Sequence, residues 1–252
     1  MKIQYASDLH IEFQANEYFL NENPLRPIGD ILILAGDILP LSYIDEYNVF
    51  FDYLSNNFKY TYWIPGNHEY YHFDIQTYGN SFKKEIRKNV FLLNNQSIIH
   101  EDVKFVFSTL WTKVNDYNSL IIQRSMNDFR VIKNNGRRLS ISDYNDLHKQ
   151  DLHFIKQELA NSNSENIVVI SHHVPTFQNY PKEYLGSALN SAFAVELSEY
   201  IEKSNIDYWI YGHSHSNTKS FKIGNTKMRT NQLGYVQNSE NIGFDTAKEF
   251  EV

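Results

Sequence analysis

A chain of 252 residues, 42% hydrophobic, 15% aromatic and 21% charged, has enough apolar material for a full core, and one domain is expected across 1–252. Thirty acidic against 23 basic residues leave a net charge of -7, which argues against a broad basic field for polyanionic nucleic acid. The absence of cysteine excludes disulfides, thiolate zinc sites, iron-sulfur clusters and cysteine nucleophiles, so any catalysis must use oxygen and imidazole.

In chain order, a strand is expected over 2–7 and a buried one over 31–35, followed by a one-faced helix carrying Ile44, Tyr47, Phe51, Leu54 and Phe58. A strand over 60–64 precedes a second helical period, Ile75, Tyr78, Phe82 and Ile86, and a strand over 103–108. The polar stretch 112–140, with Asn134-Asn135-Gly136, reads as an extended loop or cap bordering a pocket. A long helix is expected over 142–160 with Ser142 as N-cap, and it ends in the polar stretch 161–166. Then come a strand over 167–170, a helix carrying Leu189, Phe193, Leu197 and Ile201, a strand over 207–211, and a hairpin over 220–230 turning at Gly224-Asn225. The tail shows little helical period. Strands alternating with helices describe an α/β protein. No apolar run approaches about 18 residues, and Asp8 follows the first strand at once, so neither a membrane span nor a signal peptide is expected and a cytoplasmic location follows.

Five polar clusters each stand just after a strong strand: Asp8-Leu9-His10, Gly36-Asp37, Gly66-Asn67-His68-Glu69, His172-His173 and Gly212-His213-Ser214-His215. The carboxyl ends of strands frame the binding crevice of an open α/β sheet, so five clusters on that edge describe one site. Its aspartates, asparagine and six histidines offer carboxylate oxygen, amide oxygen and neutral imidazole to divalent transition metals. Residues two apart in an extended segment point the same way, which suits Asp8-x-His10 and His213-x-His215 to one metal cluster. Seven candidates would suit two metals bridged by a shared carboxylate, a clamp for both entering and leaving oxygens of phosphoryl transfer.

In this order the clusters resemble the calcineurin-like metallophosphoesterases, whose pattern runs Asp-x-His, Gly-Asp, Gly-Asn-His-Asp/Glu, His, Gly-His-x-His. The match spans Asp8 to His215. The resemblance implies a two-sheet β-sandwich flanked by helices with a binuclear metal site at the strand ends. It assigns Asp8, His10 and His215 to one metal, Asp37 to the bridge, and Asn67, His172 and His213 to the other. It gives His68 the role of general acid or phosphate-stabilising group. It makes the first histidine of His172-His173 the ligand and leaves His173 behind it or facing substrate, while Glu69 either orients His68 or closes the turn. The chain lacks the Gly-Asp-x-x-Asp-Arg-Gly of protein serine/threonine phosphatases, continuing instead Gly36-Asp37-Ile38-Leu39-Pro40. Gly-Asn-His-Glu-Tyr-Tyr at 66–71 and Leu110-Trp111-Thr112 are similar to small bacterial single-domain members of undefined substrate. Their closing Asn-Pro-Arg-Gly-Tyr is here Asn231-Gln232-Leu233-Gly234-Tyr235, without the proline and arginine.

The expected activity is hydrolysis of a small-molecule phosphodiester or phosphomonoester, a metal-bridging hydroxide attacking phosphorus in line while the metals and His68 stabilise charge. Arg124, Arg130, Arg137 and Arg138 are either phosphate ligands or solvated loop residues. The ligand set suits Mn, Fe, Zn, Co or Ni, divalent or trivalent, without choosing among them. A nuclease and a non-catalytic binding module on the same fold are the alternatives; nucleic acid and membrane partners are not expected, and oligomeric state is not legible.

Overall fold

The computed structural model describes residues 1–162, 164 and 166–252. The first part of the chain supplies β1 (Lys2–Ala6), α1 (Gln14–Glu22), β2 (Ile31–Ala35), α2 (Asn48–Asn57), β3 (Tyr60–Ile64), β4 (Phe82–Arg87) and β5 (Val90–Asn94). There follow β6 (Gln96–His100), β7 (Val103–Ser108), α3 (Ser119–Ser125), α4 (Asp128–Val131), β8 (Lys133–Asn134), β9 (Arg137–Arg138) and α5 (Ile141–Ala160). The remainder forms β10 (Asn166–Ser171), α6 (Asn190–Phe193), α7 (Ser198–Glu202), β11 (Tyr208–Ile210), β12 (Phe221–Ile223), β13 (Thr226–Arg229) and β14 (Glu249–Glu251).

Two six-stranded sheets result, ordered β14-β1-β2-β3-β5-β4 and β12-β13-β11-β10-β7-β6. Each has four neighbouring parallel strands, β1, β2, β3 and β5 in one and β13, β11, β10 and β7 in the other, closed at both edges by an antiparallel strand. Strand alternation decides the layers. Ile3, Tyr5, Ile31, Ile33, Tyr62 and Ile64 meet Phe105, Phe107, Val168, Ile170 and Ile210 between the sheets. The intervening Leu32, Leu34, Trp63 and Leu92 face outward onto Phe51 and Leu54 of α2, and Val106, Val169 and Trp209 onto Ile155 of α5 and Ile201 of α7. Each such side chain contributes about 1.5–3 kcal/mol on leaving water, so the double layer is what aligns the strand ends. The expected two-sheet sandwich is therefore the observed fold.

Several local expectations are corrected. The segment from Ile75 to Ile86 is not a helix: one 3-10 turn (Ile75–Thr77) gives way to β4, paired antiparallel with β5. Phe82 and Ile86 fit period two as well as period 3.6, Gly79-Asn80 breaks the helix, and Lys83, Lys84, Glu85 and Arg87 suit a sheet edge. The helical run from Leu189 to Ile201 is split into α6 and α7, with Ala194 bridged to Val174 between them. Its two halves serve different clusters, Leu189 and Phe193 one, Leu197 and Ile201 the other. The cap of α5 is Ser140, not Ser142: its hydroxyl accepts from the Asp143 N–H while the Asp143 carboxylate accepts from the Ser140 N–H, a capping box. Within 112–140 the chain forms α3, α4 and the β8–β9 hairpin, turning at Asn135-Gly136, both with positive φ. The Gly224-Asn225 hairpin forms as expected. The tail carries an unanticipated strand, β14, on β1.

Candidate metal centre

The five clusters converge. Asp8, His10, Asp37 and His215 bring one donor atom each within 4.8 Å of one another, and so do Asp37, His172 and His213. Asp37 belongs to both groups: its Oδ2 lies 3.7 Å from His10 Nε2 and 3.4 Å from His172 Nε2. Asn67 Oδ1 completes the second group, 3.3 Å from His172 Nε2. Metal bonds of about 2.1 Å place neighbouring donors roughly 3–3.5 Å apart, the separation seen here.

The histidine tautomers, assigned from their acceptors, test whether this donor set fits cations. His172 Nδ1 donates to the Ala35 carbonyl at 3.0 Å, His215 Nδ1 to Glu240 Oε2 at 2.6 Å and His10 Nδ1 to Glu12 Oε1 at 3.4 Å. The opposite nitrogens of His10 and His215 therefore carry lone pairs and face each other, Nε2 to Nε2 at 3.0 Å, while His172 Nε2 lies 3.0 Å from His213 Nδ1, the His213 Nε2 having no hydrogen-bond partner among the described residues. Lone pairs so opposed repel unless a cation lies between them. Oxygen partners on the far nitrogen are what metal-bound histidines use to fix ring and tautomer. Burial, with the His215 bond and the Tyr235 N–H outweighing it, leaves the Glu240 carboxyl lowered to about 2, so it is an ionised acceptor.

The local backbone is built for this convergence. Asp8, His10, Asp37, His213 and His215 all take positive φ, between 46° and 72°, a region costing such residues on the order of 1–3 kcal/mol. Cross-ties hold them there: Asp8 N–H donates to the Gly36 carbonyl, His10 N–H to the Asp37 carbonyl, and His213 N–H to Asp8 Oδ1. Gly212 is required by close approach, since a Cβ there would stand 2.5 Å from Asp8 Oδ2.

Glu69 closes the turn and does not orient His68. It is fully buried, and its carboxylate accepts from Asp37 N–H, Ile38 N–H, Gly66 N–H and Trp63 Nε1–H at 2.6–2.9 Å. His173 packs its ring against His213 at 4.3 Å but turns its nitrogens toward the Thr109 carbonyl and the Tyr144 hydroxyl, and burial beside His172 pushes it down to about 3. His68 stands over the centre, its backbone N–H on Asp37 Oδ1 and its Nδ1 3.2 Å from Glu12 Oε1.

Beside the donors opens a cavity of about 370 Å³, lined by Asp37, Asn67, His213 and His215 together with Tyr71, Asp128, Phe193, Tyr235 and Glu240. Ser125, Met126, Asn127 and Asp128 of the 112–140 segment contribute to its wall. Its arginines do not line it: Arg137 is paired with Asp143, and the Arg130 guanidinium bonds the Arg124 carbonyl. Arg130→Ala should accordingly leave KM for a phosphate ester within about twofold of the parent, as expected of a solvated surface change; a tenfold rise in steady-state KM would show that Arg130 reaches substrate.

Four residues of the site escaped the sequence reading. Glu12 extends the alternation Asp8-x-His10-x-Glu12 and could have been found by it. Asp128, whose Oδ1 takes the Asn67 amide N–H at 3.1 Å and so turns the Asn67 oxygen toward the metal donors, carried no signal. Tyr235 ends the segment Asn231-Gln232-Leu233-Gly234-Tyr235 set beside the family's closing motif, with no role assigned to it there, and Glu240 lies on a tail with little helical period.

The model of the calcineurin-like phosphoesterase family matches residues 1–217. The chain belongs to this family. It is a metal-dependent phosphoesterase, and the family typically binds two divalent metals, in keeping with the His and Asp cluster. Tyr235 and Glu240 lie beyond the matched region. The phosphoesterase is 29% identical over 266 residues to an uncharacterized protein of Acanthamoeba polyphaga mimivirus, covering 95% of this chain and 93% of that one. Among solved structures it is similar to the phosphopantetheinyl hydrolase of Mycobacterium tuberculosis, with TM-score 0.75, 15% identity, and coverage of 99% and 95% of the two chains. A dimetal phosphatase from Danio rerio gives TM-score 0.54, 13% identity, and coverage of 91% and 86%. These likenesses show the fold. No helix among the described residues is long and apolar enough to cross a membrane.

Proposed function

We propose that this phosphoesterase hydrolyses a small-molecule phosphodiester. The observation that carries the reading is the charge of the cavity wall: it holds Asp128 and Glu240 beside the metal donors and, among the described residues, no lysine or arginine. A phosphomonoester approaches a double negative charge at neutral pH, its second pKa being about 6, whereas a diester carries one. One more unpaired charge about 4 Å from a carboxylate costs about 1–4 kcal/mol, so these carboxylates disfavour the monoester, acting against the attraction that the bound cations exert on both esters.

Asp8, His10, Asp37 and His215 would hold one divalent ion, and Asp37, Asn67, His172 and His213 the other. When bound, such a pair supplies Lewis acidity for the phosphoryl oxygens and lowers the pKa of attacking water. The chain's own groups do the rest. Asp37 Oδ1 fixes the His68 backbone, and Glu12 fixes its ring. Tyr71, Phe193 and Tyr235 supply walls that exclude water and accept an uncharged organic group. The names of the structural neighbours, a phosphopantetheinyl hydrolase and a dimetal phosphatase, are in keeping with phosphoester hydrolysis and do not bear on diester against monoester. A nuclease is disfavoured, because the acidic wall opposes a polyanion.

The test is hydrolysis of bis(p-nitrophenyl) phosphate against p-nitrophenyl phosphate by protein stripped of metal and reloaded with manganese. The expected result is a kcat/KM at least about tenfold higher for the diester, the lower end of the charge penalty. A monoester preference would overturn the reading, and rapid degradation of single-stranded DNA would replace it with a nuclease.

A further inference from the structure

His68, the candidate acid, does not line the cavity. Both its ring nitrogens are occupied: Nδ1 lies 3.2 Å from Glu12 Oε1, and Nε2 lies 3.2 Å from the Tyr235 hydroxyl. Its faces are covered as well, by Tyr71 stacked at 4.1 Å and by the edge of His10 at 4.4 Å. Of the three groups in this row, Tyr235 is the one that opens into the cavity, beside Asp37, Asn67, His213 and His215.

Tyr235 is held in place from several sides. Its ring lies between His10 at 4.7 Å and His215 at 4.6 Å, with Phe13 edge-on at 5.3 Å. Its backbone N–H donates to Glu240 Oε2, the same oxygen that receives His215 Nδ1–H. The preceding Gly234 N–H donates to the Asp8 carbonyl, and Asn16 Nδ2–H donates to the Gly234 carbonyl. A segment tied so closely to the loops of two candidate ligands keeps one hydroxyl at a fixed place above the centre, as preorganised stabilisation of developing charge requires.

We infer that Tyr235 is a catalytic residue whose hydroxyl, backed by His68, donates a hydrogen bond to the oxygen leaving phosphorus, and that Glu12 is a positioning residue that sets the His68 ring. His68 thus acts through Tyr235. Glu12 Oε1 also reaches His10 Nδ1 at 3.4 Å, so the same carboxylate aligns a metal donor and the row above it. The inference rests on the phosphodiesterase reading.

Manganese-loaded parent, Tyr235→Phe, His68→Ala, their double variant, Glu12→Gln and Glu12→Ala are compared on methyl p-nitrophenyl phosphate and methyl phenyl phosphate, with metal stoichiometry and melting temperature measured on each. Tyr235→Phe is expected to keep two metals, the parent melting temperature and KM, and to lose kcat by on the order of 10²-fold on the phenyl ester. The loss should be several-fold smaller with p-nitrophenol, which needs less help to leave. The double variant should be no slower than the slower single one, since the two residues act as a unit. Glu12→Gln, which keeps an acceptor for His68, should retain more activity than Glu12→Ala at equal metal content. An active parent with Tyr235→Phe within about threefold of it, or with additive losses in the double variant, overturns the role of Tyr235 alone. Loss of metal that accounts for the whole Glu12→Ala defect overturns the positioning role. A parent that holds two metals and cleaves neither ester overturns the phosphodiesterase reading, and this inference with it.

Discussion

Asp37→Ala is expected to remove metal from both halves of the centre and activity with it. Its Oδ2 faces His10 Nε2 on one side and His172 Nε2 on the other, and it belongs to both donor groups. Without it, each half keeps donors that are mostly neutral imidazole and amide, too little anionic oxygen for a hard or borderline divalent cation. Loss of a partner that merely supports a ligand already costs about 10–100-fold in affinity or activity. Loss of a donor shared by both ions should exceed that, on the order of 10³-fold in kcat/KM. Elemental analysis after manganese reloading decides it, with circular dichroism to confirm the fold. Two manganese ions retained per chain would end the bridging assignment. His173→Gln, by contrast, should leave metal content intact, because His173 faces Thr109 and Tyr144.

Glu69→Gln is expected to be the most destabilising conservative change at the site. Four N–H donors converge on two carboxylate oxygens, two on each. Glutamine can offer one oxygen, and its amide NH₂ must then face two N–H groups in a site without solvent. Two buried donors left unsatisfied cost about 1–3 kcal/mol each, a large share of a total stability of about 5–15 kcal/mol. For a chain of this size that corresponds to a fall in melting temperature of roughly 10 °C. The same donors belong to the turns carrying Asp37 and Asn67, so metal uptake should weaken together with stability. Added manganese should recover part of the loss by mass action. Calorimetry with and without metal measures both; a melting temperature within about 2 °C of the parent would show that the carboxylate is not the tie between the two turns.

The legible part of this molecule is the part in which local pattern and chemistry coincide. Buried strands read as apolar runs, and the polar clusters after them use residue types rare in turns, so the donor positions stand out along the chain by themselves. The segment from Ile75 to Ile86 misleads because its apolar spacing satisfies helix and strand alike, and pairing with β5 decides between them. The run from Leu189 to Ile201 misleads because two cores, not one, claim its apolar residues. Neither competition is visible within the segment itself.

The same division holds at the site. The amino-acid sequence alone determined which side chains could bind metal and that they stand at strand ends, because donor chemistry belongs to residue type and strand ends follow from periodicity. Only the folded chain decided that Glu69 ties turns rather than aiming His68, and that Tyr235, 167 residues away, occupies His68 Nε2. Those facts are distances between segments remote along the chain. They come from how two twisted sheets stack and where the tail returns across their edge, and no local pattern encodes them.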